Sequence, residues 1–187
     1  MAERLNRTAL VEAAAALSDE IGLEALTITR VGNAVGIAPP GVYRHVSDVD
    51  DLRAAIGQLA RTEASHVLAE ATAGLSGLAA LQALADVMRT WARTHPGRYA
   101  ALQIAPDPQD VAGQASGDQV LAVIGAALRK YQLDGDDLTD AIRLVRSALH
   151  GFITLESVGG FKQPRQPEAT YQRIVEGLDT VLRSWTP

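Results

Sequence analysis

Apolar residues recur three to four positions apart along most of the chain, which is the spacing of one face of an α-helix. The first such stripe runs from Arg7 to Ile21 and is followed by Gly22, which supplies a helix stop. The predicted helical segments are 7–21, 28–35, 39–46, 48–71, 78–95, 99–102, 120–131, 136–158 and 171–185. No run of strand length alternates with a period of two. The pattern therefore predicts an all-α fold of about nine helices.

Two segments between these helices contain glycine or proline and are predicted to be irregular. Residues 74–77 mark a boundary between the N-terminal and the C-terminal part of the chain. Residues 107–117 are polar and predict a loop, and Asp118 is positioned to cap the helix that follows. The long helix over 48–71 would then connect the two parts.

Two short helices and a tight turn lie within Leu26–Leu52. Gly36 ends the first helix, because glycine adopts a positive φ without a steric penalty. The second helix exposes Tyr43, Arg44 and His45. Helices this short cannot bury much apolar surface alone, so both must pack on a neighbour. A pair of this kind is typical of helix-turn-helix DNA binding.

Three residues of this segment have competing interpretations. Gly32 is unfavourable inside a helix by about 1 kcal/mol relative to alanine; close approach of the first helix is one explanation, and the absence of any structural reason is the other. Tyr43 either faces DNA or is a core aromatic residue. Arg44 is the best candidate for reading a guanine edge, because a guanidinium reaches O6 and N7 together; a solvated surface arginine is the alternative.

Composition allows a substantial core but gives no basic surface. The 187 residues are 47% hydrophobic, enough for one domain or two small ones. The net charge is −5, and residues 1–66 hold six Arg and nine Asp or Glu, a net charge of −3. A DNA-binding footprint must therefore be local. The groups available for it are Arg4, Arg7, Arg30, Arg44 and His45.

Several function classes lack their signatures. The chain has no cysteine, which excludes disulfides and thiolate chemistry and suits a reducing cytoplasm. Its longest apolar run, Val120–Leu128, is too short to span a bilayer, and a signal peptide is not expected. His66 and His95 have no partner at metal-ligand spacing, so neither a metal nor a cofactor is predicted. No phosphate loop or hydrolase motif occurs; a helical-bundle enzyme, or a binding protein for a small apolar molecule, stays the alternative.

The segment Leu26–Leu52 resembles the DNA-binding domain of the TetR family of bacterial transcription regulators. The resemblance is carried by Leu26, Thr27, Val31, Ala34, Gly36, Ile37, Val42, Tyr43, His45 and Leu52. A weaker likeness, through Trp91-Ala92, His95-Pro96, Tyr99 and Ser147–Phe152, is to a C-terminal domain type named for a Trp and a His-Gly pair, although Arg146 stands where that Trp is expected. The family implies a cytoplasmic homodimer that binds a palindromic operator and is released as a repressor by a small molecule.

The resemblance also implies which residues contact DNA. Residues 1–47 would form the DNA-binding domain, helix 48–72 the connection, and 73–187 the ligand-binding and dimerisation domain. The expected DNA contacts are Thr27, Thr29, Arg30, Pro39, Pro40, Gly41, Tyr43, Arg44 and His45. Many relatives have a phosphate-binding lysine where this chain has Val49. That contact is therefore not expected here.

The family's C-terminal domain often encloses a ligand pocket and dimerises through its last two long helices. Candidate pocket residues are Met88, Trp91, Tyr99, Leu102, Leu121, Ile124, Leu128 and His150. Aromatic and methionine side chains at helical spacing are more often ordinary core residues, and that alternative stays open. Candidate dimer-interface residues are Leu149, Phe152, Ile153, Ile174, Leu178, Val181 and Leu182.

Overall fold

A computed structural model describes residues 5–185, and in that part the predicted all-α fold is confirmed, with nine α-helices and no strand. The α-helices are α1 (Arg7–Ile21), α2 (Ile28–Val35), α3 (Pro39–Val42), α4 (Val49–Thr72), α5 (Leu78–Thr94), α6 (Pro96–Leu102), α7 (Val111–Leu128), α8 (Gly135–Ser157) and α9 (Pro167–Ser184). Two single turns of 3-10 helix lie at Leu23–Ala25 and Arg129–Tyr131. Searched over the same residues, no helix combines the length and the apolarity that crossing a membrane requires.

The start of α7 differs from the prediction. Most of the loop predicted over 107–117 is helical, and Asp118 is an exposed residue inside α7 rather than its cap. The helix is capped by Asp110, whose carboxylate accepts from the N–H of Gly113 at 3.0 Å and whose carbonyl accepts from Gln114 at 2.8 Å. The glycines that suggested a break are therefore part of the first helical turns.

Two compact units are interleaved along the sequence. Within the described residues, unit 1 comprises 5–64 and 94–119, and unit 2 comprises 65–93 and 120–185. Helices α4 and α7 each contribute residues to both units. The predicted boundaries near residues 47 and 73 divide the chain by function rather than by compactness, and they stay a prediction.

In unit 1, helices α1 to α4 share a core to which α6 also contributes. Leu10, Val31, Val42 and Ile56 are fully buried in it together with Ala101 from α6. Burying a Leu, Ile or Val side chain contributes about 1.5–3 kcal/mol to the free energy of unfolding. The short helices α2 and α3 are thus held by their neighbours rather than by their own helix propensity.

Helix α6 packs tightly against α1 at a glycine. A Cβ added to Gly97 would lie 2.2 Å from the carbonyl carbon of Ser18, a distance that real side chains do not adopt. Beside this contact, the carboxylate of Asp19 accepts from the backbone N–H of Arg98 at 2.9 Å. Any side chain larger than hydrogen at position 97 would therefore push α6 away from α1.

Unit 2 contains α5, α8 and α9, which meet around a buried tyrosine. The Tyr171 hydroxyl donates to the carbonyl of Ala85 at 2.7 Å, and its ring lies 4.8 Å from that of Phe152. The Cζ atom of Arg89 lies 4.8 Å from the centroid of the Tyr171 ring. The same guanidinium donates to both carboxylate oxygens of Glu156, from Nε to Oε2 at 2.8 Å and from Nη2 to Oε1 at 2.6 Å. This bidentate pair lowers the pKa of Glu156 and raises that of Arg89.

Candidate DNA-binding surface

The turn between α2 and α3 is tight because two glycines allow it. Gly36 adopts φ +72°, and the N–H of Ile37 donates to the carbonyl of Gly32 at 2.9 Å. A Cβ on Gly32 would lie 2.7 Å from the Ile37 carbonyl oxygen. The close approach that explains Gly32 is thus the returning turn, and the explanation by the first helix of the chain is wrong.

Helix α2 presents the first group of predicted DNA contacts. The Thr27 hydroxyl accepts from the N–H of Arg30 at 3.2 Å, so Thr27 is the N-cap, as its position predicted. Thr29 and Arg30 are exposed. The Arg30 side chain donates to the carbonyl of Ala25 at 2.9 Å, which holds it against the segment before α2.

Helix α3 is only one turn long, and its chain continues as hydrogen-bonded turns to Val46. Val42 and Val46 are buried, whereas Tyr43 is 55% exposed and Arg44 is exposed as well. Tyr43 is therefore not a core residue of unit 1. His45 is half-buried. The remaining predicted contacts are the half-buried Pro39 and Gly41 and the exposed Pro40.

Arg7 holds the end of this turn in place. Its guanidinium donates to the carbonyl of His45 and to the carboxylate of Asp51, with 2.8 Å between Nη2 and Oδ1. Asp51 also accepts from the N–H of Ser47 at 2.8 Å, and the Arg7 bond is the main cause of its lowered pKa. Sequence reasoning counted Arg7 among the cations available to DNA and missed this contact, because its partner is a backbone group far along the chain.

The positive charges of the surface are few. Arg7 is paired with Asp51, and Arg30 is bonded to a carbonyl. Arg44 is exposed, and no ion pair within residues 5–185 includes it. Arg4 lies outside the described residues. Arg44 is thus the cation of this surface best placed to meet a DNA base or phosphate.

The candidate pocket residues are distributed over both units. Tyr99 and Leu102 are buried in α6 of unit 1, whereas the other six belong to unit 2. Of those six, the buried residues are Met88, Trp91, Ile124 and Leu128; Leu121 is exposed and His150 half-buried. The ring nitrogen Nε2 of His150 lies 3.4 Å from the hydroxyl of Thr154, one helical turn away. A common pocket for the eight residues stays a prediction.

The candidate dimer-interface residues have mixed positions in the protomer. Five of them are buried within unit 2: Leu149, Phe152, Ile153, Leu178 and Leu182. Ile174 is half-buried and Val181 is 41% exposed. Large exposed apolar side chains on the same two helices include Leu155 on α8, which sequence reasoning did not select.

Comparisons with known proteins bear on what this surface does. A family model described as "Tetracyclin repressor-like, C-terminal domain" matches residues 81–178. The chain is 33% identical over 160 residues to the uncharacterized HTH-type transcriptional regulator Rv0681 of Mycobacterium tuberculosis, covering 83% of this chain and 72% of that protein.

Solved structures share the fold at low sequence identity. The transcriptional regulator SCO7222, a TetR from Streptomyces coelicolor, superposes with a TM-score of 0.75 at 15% identity, covering 98% of this chain and all of that one (100%). The Streptomyces coelicolor TetR family protein ActR, in complex with (S)-DNPA, superposes with a TM-score of 0.66 at 15% identity, covering 99% and 100%. The C-terminal subtype marked by Trp and His-Gly stays a prediction.

Proposed function

This chain belongs to the TetR family of transcriptional regulators, and we propose that it is a homodimeric repressor that a small molecule releases from a palindromic operator. The relatives named above are transcriptional regulators. They favour this function over a helical-bundle enzyme or a binding protein without DNA. Residues 1–47 would bind DNA, and 73–187 would bind ligand and the second subunit.

The observation that carries the DNA-binding proposal is that Tyr43 and Arg44 are exposed, whereas other residues of the segment 39–46 are fixed to the rest of unit 1. Val42 and Val46 fix the turn in the core, and Arg7 fixes its last carbonyl. Arg44 would read a guanine edge in the major groove, and the Tyr43 hydroxyl would donate to a phosphate. Specificity would thus rest on few side chains presented rigidly.

The other contacts would position the protein on the duplex. Pro39 and Pro40 have neither a polar side-chain group nor a backbone N–H, so they can contribute only shape and apolar contact. The proposed positioning residues are Thr27, Thr29, Arg30, Pro39, Pro40, Gly41 and His45. Because residues 1–66 carry a net charge of −3, the affinity for DNA would depend on the doubling of these contacts by dimer symmetry.

An outward apolar face on α8 and α9 supports the homodimer. Spaced by three or four residues, its members would line one side of each helix. They are Leu144, Ala148, Gly151 and Leu155 on α8, with Ile174, Gly177 and Val181 on α9. Apart from the adjoining turns of the same helix, no atom of residues 5–185 lies within 4 Å of a Cβ added to Gly151 or Gly177, so a second subunit has room to approach the backbone there.

Dimer geometry would couple ligand to DNA. The two copies of residues 39–46, which form the recognition turn of each subunit, must stand about 34–36 Å apart to enter successive major grooves. An effector that binds better to another separation would shift the population away from DNA-competent dimers. ActR, which shares this fold, was solved in complex with (S)-DNPA, and this supports the proposal that the present chain also responds to a ligand.

Affinity selection of random duplex DNA with the full chain tests the proposal. We expect enrichment of a sequence with two-fold symmetry whose half-sites lie about one helical turn apart. Selection of no sequence, with only salt-sensitive non-specific retention, would overturn the DNA-binding function and favour the alternative of a binding protein.

A further inference from the structure

Unit 1 contains a cavity of about 300 Å³ between the N-terminal half of α4 and the segment that joins α6 to α7. This volume is at the lower end of the range of small-molecule sites, about 300–1,000 Å³. Much of its lining is apolar, from Ala54, Ala101, Ile104 and Pro106. Its lining residues come from three separated parts of the sequence, at Glu24, 50–61 and 101–110, so no local pattern marks the cavity.

The cavity is lined by a buried arginine without an ion pair. Arg61 is 5% exposed; its Nε donates to the Ser116 hydroxyl at 2.8 Å and its Nη1 to the carbonyl of Ile104 at 3.2 Å. These bonds use two of the five N–H groups of a guanidinium, and both acceptors are neutral. None of the ion pairs within residues 5–185 includes Arg61.

A buried charge of this kind is costly. Burial lowers the pKa of Arg61, and the carboxylate of Asp110 offsets part of that effect. An arginine nevertheless stays protonated at neutral pH. A buried cation is stabilised mainly by a hydrogen-bonded anion, and the guanidinium fork matches a carboxylate in geometry. Arg61 therefore presents unused donors and an unpaired charge at the wall of an apolar cavity.

The other charged residues of the lining are already engaged. Arg53 pairs with Asp50 at 3.2 Å and with Glu24 at 3.7 Å, while its buried Nε has no hydrogen-bond partner. The carboxylates of Asp107 and Asp110 accept from backbone N–H groups at 2.7 and 3.0 Å. These four acids would repel a ligand with several negative charges. A ligand with a single negative charge placed beside Arg61 would be tolerated.

We propose that this cavity binds a small monocarboxylic acid with an apolar body, whose carboxylate accepts from the unused N–H groups of Arg61, and that this acid is the effector. The effector role rests on the function proposed above but places the effector in unit 1, at Glu24, 50–61 and 101–110, rather than within residues 73–187 alone. Binding in the cavity does not depend on that function. The cavity is well placed for regulation within unit 1. Its walls include α4, which begins just after the recognition turn, and the end of α6, which packs on α1.

Calorimetric titration of the full chain tests the binding. The probes are hexanoate, benzoate and phenylacetate, and each is compared with its uncharged primary amide. Inorganic phosphate is included as an anion that can carry more than one charge. We expect at least one acid to bind about tenfold more tightly than its amide, and phosphate not to bind. The site is disproved if no acid exceeds its amide or if phosphate binds as tightly as the acids.

Variants locate the site. Ile104→Asp adds a carboxylate at a half-exposed position of the lining, and Val111→Asp, at an 82% exposed position outside the lining, is its control. We expect Ile104→Asp to weaken acid binding by about tenfold and Val111→Asp to leave it within about twofold. Arg61→Met should abolish binding, and Arg53→Met should retain it. If Arg61→Met does not fold, the Ile104 and Val111 pair decides; equal affinities there would overturn the site.

The effector role is measured separately on the selected operator. The acid that binds should lower operator affinity of the wild type by about tenfold or more, and that of Ile104→Asp much less. If the acid binds but operator affinity is unchanged, the effector role is wrong and the cavity stands. If the protein binds no DNA at all, the effector role fails together with the proposed function, and the calorimetry still judges the cavity.

Discussion

The guanidinium of Arg7, in the first turn of α1, donates to the backbone carbonyl of His45, at the end of the recognition turn. The same guanidinium pairs with Asp51 at 2.8 Å, in the first turn of α4. One side chain thus joins the start of α1, the end of the recognition turn and the start of α4. These three parts belong to the same compact unit.

Arg7→Gln should loosen the recognition turn without unfolding the chain. We expect operator affinity to fall by about tenfold, because the turn loses the contact that orients it. The log–log slope of affinity against salt should stay unchanged, since a lost phosphate contact would lower it by about one. Fluorescence anisotropy at several salt concentrations measures both. Arg143→Gln, at a more exposed position in unit 2, is the control. A reduced slope for Arg7→Gln would mean that Arg7 contacts DNA directly.

Arg44→Ala should weaken binding to the selected operator by about 1–3 kcal/mol and relax the preference at one base position. Arg44→Lys should recover part of the affinity but not the preference, because lysine lacks the bidentate fork. Tyr43→Phe should reduce affinity similarly for every sequence, since the hydroxyl contacts a phosphate. Wild-type affinity in both Arg44→Ala and Tyr43→Ala would refute the assignment of the recognition turn.

Val181→Glu should give a folded monomer. Val181 is 41% exposed on the outward face of α9. A charge there would be buried without a partner in the dimer and would destabilise the dimer, but it would not disturb the protomer core. A charge at Leu178, which is 6% exposed, would instead unfold the protomer and could not test dimerisation. Sedimentation velocity measures the mass, with circular dichroism for folding. Thr180→Glu, exposed on the same helix, should stay dimeric; a dimeric Val181→Glu would remove this face from the interface.

Gly97→Ala should destabilise unit 1 by about 1–3 kcal/mol, because its Cβ would meet the Ser18 backbone at 2.2 Å. Gly125→Ala is the matched control in a helix: its Cβ would lie 3.8 Å from Ile142, an ordinary contact. Alanine there should stabilise by about 0.5–1 kcal/mol. Urea unfolding compares the two. Equal effects would show that α6 shifts away from α1 without cost.

Glu156→Gln should flatten the acid side of the stability profile. The pKa of Glu156 is lowered in the folded state, chiefly by its bonds to Arg89. The stabilisation is therefore complete above the ordinary glutamate pKa of about 4.3 and is lost as pH falls through the lowered value. Urea unfolding at several pH values should show a steeper loss below about pH 4 for the wild type than for Glu156→Gln. Glu176→Gln, an exposed residue of α9, should keep the wild-type profile.

The helices were predictable because each buries one face and therefore shows a helical period. The start of α7 was not, because its cap depends on how Asp110 folds back and because Gly113 suggests a break when read alone. The tight turn at Gly36 and the recognition turn after it were predictable from Gly36, Val42 and Val46. The restraint by Arg7 was not, since its acceptor is a backbone carbonyl that has no sequence signature.

The outward face of α9 shows a different limit. Leu178 and Val181 belong to one apolar stripe in the sequence, yet the first is in the protomer core and the second is exposed. An apolar stripe shows that a helix face is buried, but not whether its partner is the protomer core or a second subunit. Arg61 has a similar ambiguity, because a buried and a solvated arginine look alike in a helical pattern.

Operator preference can change without loss of stability, because the residues that hold the recognition turn are not the ones that would read DNA. The turn is held by two buried valines, Val42 and Val46, and by a bond to the main chain at His45. None of these supports uses the side chain of Tyr43, Arg44 or His45. The reading positions can therefore be exchanged while the scaffold keeps its stability, so related sequences could acquire new target sites by few substitutions, and a designer could graft them in the same way.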